Sequence, residues 1–123
     1  MMMASHDHKR LLMGSVLSRI DGFDDGDLCW QRIDSVTLHR DGQFDWHTHT
    51  SSAEHGSAPS FASEHLTGIW QVIGTNFGPH FLQLGTDAGD MFSFAIGRSE
   101  PGTYVLNKKL WSFQKTGVLQ LAA

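Results

Sequence analysis

The sequence predicts an all-β protein: a single antiparallel up-and-down β-barrel of about eight strands. Three observations carry this. Segments in which apolar and polar residues alternate recur at short spacing along the whole chain. Glycine, Asp-Gly or Pro-Gly stands in most of the gaps between them. No window holds a sustained helical period, so parallel strands joined by crossover helices are excluded. The 123 residues suffice for one core without covalent or metal staples. Hydrophobic residues make up 40% of the chain and charged residues 18%, which excludes a disordered chain. Eight Phe and four Trp beside 13 Gly favour strands joined by tight turns.

Taken in order, residues 1–10 are expected as a flexible tail, 11–115 as the barrel and 116–123 as a second tail. A helix over 5–17 is the best helical candidate, and Gly14 interrupts it. The expected strands cover 11–19, 31–40, 43–50, 64–73, 80–85, 90–97, 103–107 and 110–114. The acidic, glycine-rich segment 21–27 reads as a solvated turn. Asp41-Gly42 supplies a hairpin, since glycine accepts positive φ. The serine-rich stretch 51–63 reads as the one long loop. An internal echo supports a meander: Val36-x-Leu38 leads through Gly42 to Phe44-x-Trp46, and Leu82-x-Leu84 leads through Gly89 to Phe92-x-Phe94.

Charge narrows the partners. The formal net charge is −4 with the eight histidines neutral, and no basic run exceeds two residues. A nucleic-acid partner is therefore not expected. No stretch approaches the ~18 apolar residues of a membrane helix, so no membrane partner is expected either. Lys9-Arg10 before the short apolar run 11–17 lacks a small-residue cleavage site, so a cytoplasmic protein is expected. The lone Cys29 cannot form an intramolecular disulfide and reads as a small buried hydrophobe.

The strand ending in Asp41-Gly42-Gln43-Phe44, the serine-rich loop, and Leu66-Thr67-Gly68-Ile69-Trp70 before further Leu-x-Leu and Phe-x-Phe hairpins are similar to small lipocalin-like (calycin) β-meander domains. Gly68-x-Trp70 stands in mid-chain, whereas the lipocalin Gly-x-Trp motif lies near the first strand, so that motif is not carried over. The resemblance covers about residues 33–113 and implies an interior cavity for a small apolar ligand. Alternation puts Leu66, Gly68, Trp70 and Val72 on one face of their strand, Phe92 and Phe94 on one face of theirs, and Trp111 with Phe113 on another. Trp46, Trp70, Phe92, Phe94 and Trp111 are the candidate ligand-lining residues. Gly68, Ser93, Ala95 and Ser112 would leave room for a ligand if they point inward.

A second constellation lies on the third strand. Phe44 and Trp46 share one face, and Asp45, His47 and His49 the other. Two histidines at i, i+2 of a strand can reach one metal ion. His47-x-His49 followed by Glu54 resembles the first metal motif of cupins, which implies Zn or Fe held by His47, His49 and Glu54. The glycine and second histidine motif that cupins carry downstream are missing. The leading expectation is a protein that binds a small apolar or aromatic molecule, with acid–base, cyclase or isomerase chemistry in the cavity as an extension that no residue selects. The alternatives are a histidine-based metal enzyme and an interaction module, for instance a homodimer pairing through a sheet edge.

Overall fold

The computed structural model describes residues 5–74 and 77–116. A short helix, α1 (Ser5–Leu12), precedes eight strands: β1 (Ser15–Asp24), β2 (Leu28–Leu38), β3 (Gln43–Glu54), β4 (Ser60–Gly74), β5 (His80–Thr86), β6 (Met91–Glu100), β7 (Thr103–Leu106) and β8 (Lys109–Lys115). Every strand pairs antiparallel with the next, and β8 returns to β1, which closes the barrel. The alternation explains why this sequence closes. Val36, Leu38, Phe44 and Trp46 point inward, and the echoing Leu82, Leu84, Phe92 and Phe94 join the same core from across the axis. Ser93, Ala95 and Ser112 fall on the outer face and are exposed. Of the four small residues considered as cavity-makers only Gly68 turns inward, and its space is taken by the backbone of β5. Among the described residues the inward-facing side chains, Leu17, Leu38, Phe44, Leu82 and Leu84 among them, form one buried hydrophobic cluster.

The ends of the barrel differ. At one end α1 packs against β4, with Leu12 fully buried. Thus α1 occupies residues 5–10, where the sequence reading placed a tail, and the first strand starts at Ser15 rather than at residue 11. Gly14, with φ of 69°, turns the chain from helix into strand, and its N–H donates to Leu38 O at 2.8 Å. Lys115 Nζ donates to the carbonyls of Arg10 and Met13, capping the helix C-terminus. Among the described residues no helix is long and apolar enough to cross a membrane.

At the other end β1 to β4 outrun their neighbours. Residues 21–24 of the expected acidic turn belong to β1, and residues 51–54 and 60–63 of the expected serine-rich loop belong to β3 and β4. The register runs unbroken from Gln43↔Ile69 to Ser52↔Ser60, so the ladder hydrogen bonds hold a segment that lacks apolar alternation because both of its faces are wet. Asp25 Oδ1 accepts from the N–H groups of Asp27 and Leu28, which shapes the tight β1–β2 turn. Those bonds, that from Leu28 first, hold the Asp25 carboxyl below its ordinary value. Cys29, expected as buried, is exposed, because it lies on the outer face of this extension.

Candidate functional site

The inner wall near the open end carries charge where a packed barrel would carry aliphatics. Arg32-x-Asp34 continues the inward alternation of Val36 and Leu38. Asp34 is 5% exposed. Its carboxylate accepts from Arg32 Nε at 2.9 Å and Nη2 at 3.2 Å, from Trp46 Nε1 at 2.9 Å and from Thr48 Oγ1 at 3.0 Å. Burial alone would raise the Asp34 carboxyl. The bonds from Arg32, Trp46 and Thr48 outweigh it, so the group is held below the usual carboxylate range and stays ionised. Register sets Arg19, Thr48 and Glu64 in the same inward row as Asp34, and Asp21 and Thr50 in the row of Arg32. Arg19 Nη2 meets Asp21 Oδ2 at 3.2 Å. The mouth thus holds two cations and three anions, with half of the Arg32 side chain open to solvent (46% exposed).

Beneath this rim lies an aromatic floor. Trp46 meets Phe92 edge to face at 5.1 Å between ring centres and Phe94 at 6.0 Å, and Phe94 meets Trp111 at 6.3 Å. Trp46 and Trp111 are buried, whereas Phe92 and Phe94 are only half-buried although they face inward. A groove of about 200 Å³ lies further out along the extension, against Trp30, Thr50, Ser52, Ser60, Phe61 and Ala62.

The outer face of β3 and β4 brings histidines together. His47 stands opposite His65 in the register, and their rings stack with centres 4.0 Å apart. Asp45 accepts from His39 Nε2 at 2.6 Å and from His65 Nε2 at 2.8 Å; a carboxylate only accepts, so each imidazole is the donor. The bond from His39 and then that from His65 keep the Asp45 carboxyl below its ordinary value. The expected trio of His47, His49 and Glu54 is not assembled. His49 Nδ1 is engaged with Ser63 Oγ at 3.0 Å. Glu54 lies five residues along β3, roughly 16 Å away by strand rise, with its side chain on the opposite face. Of the expected lining residues, Trp46, Phe92, Phe94 and Trp111 meet in one cluster. Trp70 faces inward near the other end, where its Nε1 donates to His39 O at 2.9 Å.

That closed end buries two more histidines. His8 Nδ1 shares a hydrogen bond with the Tyr104 hydroxyl, and the His8 and His80 ring centres lie 5.3 Å apart. His80 is 6% exposed, and among the described residues its Nε2 has no partner. Burial, reinforced by His80 and opposed by Asp7, pushes the His8 imidazole below its ordinary value of 6.5. Burial pushes the Tyr104 phenol up, against a bond from Ser99. His8 is therefore neutral when α1 is docked. A depressed folded value means that its contribution to stability is full above pH 6.5 and is lost as pH falls through the folded value. Protection factors of the α1 amides, exchange rates corrected for the intrinsic pH dependence, are expected to fall between pH 7 and 5, and more in the wild type than in His8→Gln; an equal fall in both would refute the His8 origin.

Comparison with protein-family models, with curated proteins and with solved structures finds no match. The fold and the site define the class by themselves: an eight-stranded up-and-down barrel with a charged mouth over an aromatic floor.

Proposed function

We propose that the protein binds a small molecule in the mouth of its barrel. An aromatic or apolar body lies against Phe92, Phe94 and Trp46, and a hydrogen-bonding head meets the solvent-open guanidinium of Arg32, which Asp34 holds in place. The observation that carries this reading is the pair of inward-facing phenylalanine rings that stay partly exposed beside a buried, ionised carboxylate. Open aromatic surface with a few convergent polar groups is what small-molecule sites consist of. The resemblance of the hairpins to lipocalin-like barrels supports the same use of the fold. The buried hydrophobic cluster moves the ligand outward to the rim, and Trp70, at the other end, takes no part.

The reading is tested with N-phenyl-1-naphthylamine, an apolar aromatic probe whose emission rises on leaving water. Saturable enhancement of its emission is expected on titration with the protein. Truncating Phe92 and Phe94 together to alanine should raise the dissociation constant about tenfold or more, the equivalent of ~1.4 kcal/mol of lost apolar contact. A flat titration, or unchanged affinity in the double variant, would overturn the proposal.

A further inference from the structure

The alternation that turns Trp46 into the barrel turns Asp45 and His47 out of it, onto a face that the barrel mouth does not use. Across the ladder, His65 is fixed directly opposite His47, with ring planes 11° apart. One ligand atom from each of Asp45, His47 and His65 lies within 4.8 Å of the other two. We propose that these three residues bind a divalent transition-metal ion, Zn²⁺ above all. Each histidine supplies one imidazole nitrogen and Asp45 one carboxylate oxygen, while His39 holds the second carboxylate oxygen.

Several features make this more than a chance meeting of polar groups. Zn–N and Zn–O bonds of about 2.0–2.2 Å bring tetrahedral ligand atoms to roughly 3.3 Å from one another. Asp45 Oδ1 and His65 Nε2 already stand 2.8 Å apart, so the ion takes the place of the proton between them, and the His65 ring stays neutral by carrying its one proton on Nδ1 through exchange with solvent. His47 and His65 are exposed, so side-chain rotation completes the set without moving the backbone. The backbone itself is held by unbroken antiparallel ladders between β2 and β3 and between β3 and β4. His39 plays the part of an outer partner that orients a ligating carboxylate, through its 2.6 Å bond to Asp45 Oδ2. Two imidazoles with one carboxylate match Zn²⁺ or its neighbours in the series and not Ca²⁺ or Mg²⁺, which take oxygen ligands. The exposed side leaves a fourth coordination position to water, the pattern of an open rather than a closed zinc site.

The test is isothermal titration of the full chain with ZnCl₂, paralleled by visible absorption with Co²⁺. One equivalent is expected to bind, and the Co²⁺ spectrum should show a four-coordinate nitrogen–oxygen site. His47→Ala and His65→Ala should each weaken Zn²⁺ binding by roughly 100-fold and abolish the Co²⁺ band, and His39→Ala should weaken binding by about tenfold. All three side chains are at least partly solvent-exposed, and circular dichroism checks that the variants keep the fold. His49→Ala and His55→Ala should leave the isotherm unchanged. The assignment is overturned if wild type takes up no Zn²⁺ at millimolar concentration. It is equally overturned if His47→Ala and His65→Ala bind as wild type does, or if His49→Ala weakens binding as much as they do.

Discussion

Alanine at Gly68 is expected to destabilise the protein by about 3 kcal/mol or more, at the upper end of overpacking costs, and to lower Tm by about 10 °C or more. A Cβ built on Gly68 would lie 1.9 Å from the Gly85 carbonyl oxygen and 2.8 Å from both Gly85 C and Thr86 Cα. All three are backbone atoms of the paired strand, so no side-chain rotation relieves the clash. The β4–β5 ladder, which begins at Gly68↔Thr86, must separate locally. The neighbouring glycine gives the control. A Cβ on Gly85 would meet Met91 Cε at 3.5 Å and Ile69 O at 3.8 Å, which is ordinary contact. Gly85→Ala should therefore change stability by less than about 1 kcal/mol, and it gains from a less flexible unfolded chain. Thermal unfolding of the two variants side by side decides the matter. Equal Tm values would mean that the close approach of β4 and β5 at this point is not real.

The second large effect belongs to Asp34. Asp34→Ala should cost about 2–3 kcal/mol, most of it from the buried Trp46 N–H left without an acceptor. The ion pair with Arg32 adds less, because the guanidinium is half in water. Asp34→Asn keeps an acceptor for Trp46 and should cost roughly half as much. The pH dependence follows from the sign of the shift. The folded carboxyl lies below its unfolded value of 3.8, so its contribution is full above that pH and is lost as pH falls through the folded value. Asp25 and Asp45 titrate in the same direction, so the wild-type curve alone does not isolate Asp34. The difference between wild type and Asp34→Asn does: it should be constant from pH 5 to 7 and shrink below pH 4. A difference that grows below pH 4 would contradict the assignment.

Much of the barrel is legible wherever one strand face is buried. Phe44 and Trp46 against Asp45 and His47 announce inside and outside, because period-two alternation has only one solution when one face must be dry. The extension of β1 to β4 is not legible by that rule. Its serines, threonines and aspartates carry no hydrophobic contrast, and the ladder holds them without needing one. Missing it had consequences for the site. Once β3 is known to continue to Glu54, alternation alone places that residue on the face opposite His47 and His49. The pairing of His47 with His65 depends on the register across the turn at 55–59, and no local residue pattern fixes that register. Arg32 and Asp34 did leave a signal: charged residues in phase with Val36 and Leu38 on one strand, which marks a polar group on a buried wall.

The tryptophan indoles offer the most direct test of where a ligand sits. Trp46 Nε1 donates to Asp34 at the open end and Trp70 Nε1 to His39 O near the closed end, so each N–H resonance reports on its own part of the barrel. With N-phenyl-1-naphthylamine added to ¹⁵N-labelled protein, the Trp46 resonance should move with saturation while that of Trp70 holds still. A probe that shifts Trp70 and leaves Trp46 untouched, or that shifts neither, would show that the charged mouth is not the binding site.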